Sequence, residues 1–302
     1  MKVLVTGGRG FIGQHVLAPL LEQGYEVHVV SSRPSISLPH VIMHQGNLLD
    51  CETHQALIKQ IRPSHLLHAA WYAENGKFWH AIDNVYWLNA SLSLVKSFYD
   101  QGGERVLGLG TCAEYDWQYG LCVAEQTPEL PASLYGKTKK STFECLQALA
   151  LAYEKSFAWA RIFFPYGPGE AASRLIPHVV THLLRDEKAE CTHGRQIRDF
   201  LHVNDMAHAL AAILASPVQG VINVGSGVPI RIRELVNQIG SILGRPELIH
   251  FGAIPEPAHS PRMILADIDK LKTEVKWKQK ISLDEGLLNT IDWWRSRINS
   301  LR

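Results

Sequence analysis

The chain has 302 residues, a net charge of +1 from 30 basic and 29 acidic residues, and 46% apolar content, enough to bury a sizeable core in one compact unit or two lobes. The near-neutral balance argues against a nucleic-acid partner, and no apolar run is long enough to span a membrane. Five cysteines without metal-like pairing, and a glycine turn too close to the first residue to follow a secretory leader, give the expectation of a cytoplasmic protein.

Residues 2–5, Lys-Val-Leu-Val, read as a buried parallel strand. They lead into Gly7-x-x-Gly10-x-x-Gly13 and then a helix over 11–22 with apolar Ile12, Val16, Leu17, Leu20 and Leu21 at helical spacing. Strand, glycine turn and helix together make the opening of a dinucleotide site. Glycine lets a pyrophosphate approach the backbone, and the helix N-terminus offers that anion unpaired N–H groups and a positive dipole end. A second strand over 25–31 ends in Val29-Val30-Ser31-Ser32-Arg33. NAD sites carry an acid at this tip for the ribose 2′-hydroxyl, whereas an arginine suits a 2′-phosphate. With no acid there, and with Ser32, Arg33 and Arg9 within reach, NADP is favoured and NAD remains possible.

Strand and helix patterns continue to alternate: strands near 41–44, 64–68, 105–109 and 157–163, helices near 52–61, 85–99 and from Tyr135 to about 155. The alternation predicts an α/β fold, a Rossmann-type doubly wound parallel sheet covered on both faces. After Pro165-Tyr166-Gly167-Pro168-Gly169 turns multiply, which suggests a smaller α/β C-terminal substrate lobe. The expected division is 1–165 and 166–302, interleaved by a strand at 220–224 that returns to the main sheet.

Tyr135 and Lys139 are four apart and share a helix face. A phenol titrates near pH 10, and a neighbouring ammonium, with the positive charge of an oxidised nicotinamide, is expected to lower that value. Thr111 follows a strand at the sheet edge where catalytic groups collect. His178, His193 and His202 read as packed or solvated, and the fifteen histidines show no metal-ligand spacing, so no metal is expected.

The glycine turn, Gly46-Asn47-Leu48-Leu49-Asp50, His68-Ala69-Ala70, Gly110-Thr111-Cys112-Ala113-Glu114-Tyr115, Tyr135 to Lys139, Pro165 to Gly169 and Arg198-Asp199-Phe200-Leu201-His202-Val203 follow one another in order. Over nearly the whole chain this series resembles the extended short-chain dehydrogenases/reductases that act on nucleotide-diphosphate sugars, the epimerase/dehydratase family. His68 to Ala73, Gly76 to Trp79 and Thr111 to Trp117 look most like its sugar 4-ketoreductases.

The resemblance implies that Thr111, Tyr135 and Lys139 are catalytic, with Thr111 on the reacting sugar oxygen and Lys139 also on the nicotinamide ribose. It implies cofactor contacts at Gly7, Arg9, Gly10, Phe11, Ile12, Gly13, Ser32, Arg33, Asn47, Leu48, Ala69, Ala70 and Pro165. Substrate contacts are implied at Arg174, Arg198 and Arg262, and a structural asparagine at Asn89. A homodimer is expected through helices 89–99 and 135–153, with Leu92, Val95, Phe143, Leu146 and Leu149 supplying apolar surface.

The family's dehydratases need a carboxylate two residues before the tyrosine at 115. Here Cys112-Ala113 precede Glu114, so dehydration is disfavoured and Cys112 reads as a packing residue. Phe164 replaces the family's substrate-binding asparagine. The expected activity is NADP-dependent reduction of a nucleotide-diphosphate 4-keto-6-deoxy sugar, a step of deoxysugar biosynthesis. A 4-epimerase using the same three residues and a non-catalytic NADP-sensing regulator are the alternatives.

Overall fold

A computed structural model describes residues 1–33, 39–256 and 260–300. The first half runs β1 (Lys2–Thr6), α1 (Phe11–Glu22), β2 (Glu26–Ser31), β3 (Val41–Gln45), α2 (Cys51–Ile61), β4 (His65–His68), α3 (Asp83–Asp100), β5 (Arg105–Thr111), β6 (Leu121–Cys122), α4 (Leu134–Ala152) and β7 (Ser156–Ile162). The second runs β8 (Phe164–Tyr166), α5 (Leu175–Leu184), β9 (Ala189–Cys191), β10 (Ile197–His202), α6 (Val203–Ala215), β11 (Gly220–Val224), β12 (Pro229–Arg231), α7 (Ile232–Leu243), β13 (Ile249–Phe251), β14 (Met263–Ala266), α8 (Asp269–Thr273) and α9 (Leu283–Asn299).

Seven parallel strands form the main sheet in the order β3-β2-β1-β4-β5-β7-β11. Successive residues point to opposite faces. Val3 and Val5 therefore pack with α1 and α6, through Val16, Leu20, Met206 and Leu210. Leu4 packs with α2, α3 and α4, through Ile58, Leu94 and Leu146. Both faces are covered, which is why these strands read as continuous apolar runs. Strand order reverses between β1 and β4, and the crevice at such a switch point is where α/β sheets bind ligands.

The strand expected at 220–224 does return: β11 pairs in parallel with β7. The exchange runs both ways, since β6 leaves the first half to pair with β14 in the lobe sheet, β12-β10-β14-β6, to which β8 adds through β10. The lobe has its own core from α5, α7 and α9, with Val179, Ile239, Leu287 and Ile291 buried together. Two buried charges tie the pieces. Arg105 Nε donates to Leu214 O (2.7 Å), and its Nη2 to Ile213 O and Val218 O (2.7 and 2.8 Å), which places a cation at the C-terminus of α6. Asp199 accepts from the amides of Ser226, Gly227 and Ala266 at 2.6, 3.0 and 3.0 Å, fixing β10 beside β14 and beside the turn after β11.

Candidate active site

A cavity of about 1040 Å³ opens at the carboxyl ends of the central strands, between the main sheet and the lobe. Its wall begins at the glycine turn. Gly7 has φ +70°, and a Cβ there would lie 2.7 Å from Ala70 N. A Cβ at Gly13 would lie 2.1 Å from Gly7 O. Only bare backbone fits, so the turn stays low under the cavity and a ligand can approach its amides. Gly10 begins α1 with no side-chain cap and no acid in the first turn. Those free N–H groups suit a pyrophosphate, so the residues present fit a dinucleotide.

Beneath the turn Ala70 N donates to Thr6 Oγ1 (3.1 Å), Thr6 Oγ1 meets His68 Nδ1 (2.7 Å), and His68 Nε2 meets Ser91 Oγ (2.8 Å). The Ser91 hydroxyl donates to Trp87 O, so it accepts from His68, whose proton therefore sits on Nε2. Burial pushes the His68 pKa down to about 3 and keeps the ring neutral. Ala69 and Ala70 are thereby held at the cavity wall.

Arg9, Phe11, Ile12, Ser32, Arg33, Asn47, Leu48 and Pro165 line the same cavity, as do Thr111, Tyr135, Lys139, Arg174 and Arg198. Arg262 is placed elsewhere. It is exposed and borders a neighbouring cavity of about 850 Å³ behind Trp79 and Trp117.

Thr111 and Tyr135 meet because α4 starts hard against the turn at Cys112–Glu114. A Cβ at Gly136 would lie 2.4 Å from Ala113 O, and Ser133 caps the helix through Gly136 N at 3.1 Å. The Thr111 hydroxyl, which accepts from Ala113 N at 3.2 Å, sits beside the Tyr135 phenol. The phenol ring stands edge-on to Phe78 and Trp79, with centroids 4.9 and 5.9 Å away.

Burial raises the Tyr135 pKa, and the neighbouring Thr111 hydroxyl and the positive charge of Arg174 oppose it. The expected lowering by Lys139 is not what this geometry gives. The Lys139 ammonium donates to Leu109 O at 2.7 Å and lies 3.8 Å from the Trp71 ring centroid. Burial pushes its own pKa down to about 7, against the pull of Glu114.

Glu114 is fully buried and turned away from the cavity: it accepts from Arg161 Nε at 2.7 Å, from Trp159 Nε1 and from Thr111 N. Cys112 lies in the core with its thiol pKa raised by burial, in keeping with packing. Arg198 reaches the cavity from β10, its guanidinium 5.7 Å from the Phe164 ring, so the phenylalanine that stands in place of an amide supports an arginine instead. Arg174 pairs with the buried Glu170 at 3.6 Å and reaches Asn75 Oδ1 at 3.5 Å.

Asn89 is exposed on α3, which corrects its reading as the structural asparagine. The fully buried asparagine is Asn84, one turn and more earlier; it donates to Phe78 O and Ala81 O (2.7 and 2.8 Å) and accepts from Trp71 Nε1 (2.8 Å). Sequence reasoning also missed Trp71 and Glu170 as cavity residues; an acid beside the Gly167-Pro168-Gly169 turn and a tryptophan directly after Ala69-Ala70 were the available signals. His202 caps α6 from a buried position, and His178 meets Glu190 O at 3.1 Å. Among the described residues no group of three His, Cys, Asp or Glu is arranged to hold a metal.

A profile of the NAD dependent epimerase/dehydratase family matches residues 3–225, and the chain belongs to that family. It is similar to a UDP-glucose 4-epimerase of Halalkalibacterium halodurans, 25% identical over 97% of this chain and 95% of the relative. Among solved structures, a UDP-glucose 4-epimerase of Thermotoga maritima with UDP-glucose superposes with TM-score 0.88 at 26% identity, covering 99% of this chain and all of that one. A dTDP-glucose 4,6-dehydratase of Bacillus anthracis in complex with NAD gives 0.85 at 25% identity, over 99% and 98% of the two chains. The chain is thus an enzyme of the nucleotide-sugar epimerase/dehydratase type on an α/β Rossmann fold.

Proposed function

We propose that this member of the family is an NADP-dependent reductase of a nucleotide-diphosphate 4-keto-6-deoxy sugar. The observation that carries the reading is that one cavity unites the uncapped glycine turn with Thr111, Tyr135 and Lys139. A bound NADPH would supply hydride to the sugar C4. The glycine turn and the α1 N-terminus would hold its pyrophosphate, and Ser32, Arg33 and Arg9 its 2′-phosphate.

The chain's own residues do the rest. Tyr135 donates its phenolic proton to the oxygen that becomes the C4 alkoxide, and Thr111, on the same cavity wall, orients that oxygen. A phenol whose pKa is raised by burial stays protonated at neutral pH, as an acid for reduction must. Lys139, its ammonium held at Leu109 O, would bond the ribose hydroxyls. Arg198 and Arg174 meet the diphosphate or sugar with forked, charge-assisted bonds.

A second reading, a 4-epimerase with the same three residues, draws support from the two UDP-glucose 4-epimerases similar to this chain. The end of β2 weighs against it, because a cofactor exchanged at each turnover as NADPH suits a reductase. Incubation with a panel of nucleotide 4-keto sugars and NADPH separates the readings. The reductase consumes NADPH in proportion to product. Because a 4-keto sugar has no C4 configuration to invert, a parallel incubation with the matching 4-hydroxy nucleotide sugars reads the epimerase, which interconverts their C4 isomers without consuming NADPH.

A further inference from the structure

We infer that Trp71 is a positioning residue for Lys139, its indole face holding the lysine as a charged ammonium beside the reacting groups. What that charge does in turnover rests on the proposed reductase reading; the contact itself does not.

Lys139 Nζ lies 3.8 Å from the Trp71 ring centroid and 5.8 Å from that of Trp159. The lysine is buried, and one of its N–H groups donates to Leu109 O. The charged and titratable groups around it leave little else to hold the cation. Glu114 is its nearest acid electrostatically, but that carboxylate is committed to Arg161, Trp159 and the Thr111 amide. His68, on β4, is kept neutral by burial and acts on Lys139 only if it gains a proton. Tyr135, on the lysine's own helix, is a neutral phenol with a raised pKa. Such burial drives an ammonium toward its neutral form, and the Lys139 pKa is indeed brought down to about 7.

An aromatic face counters that tendency in a way a carboxylate would not. It attracts the cation through the ring quadrupole, yet it takes no full hydrogen bond, leaving N–H groups for Leu109 O and a ribose hydroxyl. The indole is also locked in orientation. Its Nε1 donates to Asn84 Oδ1 at 2.8 Å, and both Asn84 amide hydrogens are spent on Phe78 O and Ala81 O. Phe78 in turn stands edge-on to Tyr135, so one buried asparagine sets the walls of both the lysine and the tyrosine.

The test is a titration of the whole protein labelled with [13Cε]lysine, the Lys139 signal being the one lost in Lys139→Arg. Trp71→Leu, which removes the ring face, should move the Lys139 midpoint down by about one pH unit, a roughly tenfold change. Trp71→Phe, which keeps a face but loses the bond to Asn84, should stay near the unsubstituted protein. If Trp71→Leu leaves the midpoint unchanged, or if both variants move it equally, the inference is overturned.

Should Trp71→Leu not fold, fluorinated tryptophan weakens the ring face without changing its shape. The midpoint should then fall with fluorination, and that fall should vanish in a Trp71→Phe background; persistence in that background refutes the contact. With a substrate in hand, the alkaline limb of kcat for reduction should shift to lower pH in Trp71→Leu and return in Trp71→Phe. The titration needs no turnover, so a failed reductase assignment leaves it intact.

Discussion

Arg161 Nε donates to Glu114 Oε2 across 2.7 Å, and both side chains are fully buried beneath the floor of the cavity. The pair explains why an acid three residues after Thr111 does not serve as a catalytic acid or base: Arg161, the indole N–H of Trp159 and the Thr111 amide already engage both carboxylate oxygens.

Breaking this pair should cost stability. Removing Glu114 takes from Arg161 its fully buried partner and strands the Trp159 indole N–H and the Thr111 amide, while Arg161 Nη2 keeps Glu129 Oε1 at 2.5 Å. Breaking a buried pair typically costs about 3–5 kcal/mol, and the retained partner points to the low end. Glu114→Ala is expected to fall in that range by urea unfolding; a loss of less than about 1 kcal/mol, the scale of an exposed pair, would show that the bond carries little.

What the sequence disclosed and what it hid follow from range. The glycine turn and the Tyr135/Lys139 spacing are local, and the alternation of strands and helices is periodic, so the sheet and most of the cavity wall could be read directly. Asn89 lies on the helix predicted over 85–99 and Asn84 just before it, where the observed helix begins two residues earlier than predicted, and choosing between them needs knowledge of which one meets Trp71, a contact outside helical periodicity. The Trp71–Lys139 contact spans two strands and two helices, and nothing in either residue's neighbourhood announces it. Arg262 precedes a short strand whose partners, β10 and β6, lie far away in sequence, so its cavity depended on sheet order.

Cofactor choice is the next test. Arg33→Ala should weaken NADPH binding by about 1–3 kcal/mol, the scale of a lost charge-assisted hydrogen bond, and leave NADH binding nearly unchanged. Fluorescence titration of both cofactors measures it, and equal affinity of the unsubstituted protein for the two would refute the preference.

Acid sensitivity should trace in part to His68. Its pKa is lowered from 6.5 to about 3 in the fold. Between those values the unfolded chain binds a proton that the native chain does not, so stability is full above about 6.5 and falls as pH drops through the window. His68→Gln should unfold more easily at neutral pH but lose less stability on acidification to pH ~4.5 than the unsubstituted protein. Parallel losses in the two proteins would assign the acid effect to other groups, among them His202, whose pKa burial lowers to about 4.

A homodimer is proposed through α3 and α4. Val95, Phe143 and Leu146 are buried within the chain and Leu92 and Leu149 half-buried, so the expected interface cannot rest mainly on them. Tyr86 and Leu151, 56% and 75% exposed, supply apolar surface on those helices instead. Sedimentation at micromolar concentration should give a dimer mass that Leu151→Glu shifts toward monomer; a monomeric unsubstituted protein would reject the proposal.

Tyr135→Phe should lower kcat by about 10²–10⁴-fold while NADPH binding stays nearly intact, because only the proton donor is lost and the ring keeps its packing against Phe78 and Trp79. Lys139→Ala should weaken both. Near-normal kcat in Tyr135→Phe, with chemistry shown to limit the rate, would move the acid elsewhere.

The central claim is net hydride delivery to C4, and isotope transfer tests it most directly. A nucleotide-diphosphate 4-keto-6-deoxy sugar is incubated with the protein and NADPH carrying deuterium at the transferable nicotinamide position, and the product is read by NMR. The account predicts one deuterium at C4 for each NADPH consumed. Product lacking deuterium at C4, or interconversion of the C4 isomers of the matching 4-hydroxy nucleotide sugar with no NADPH consumed, would contradict it.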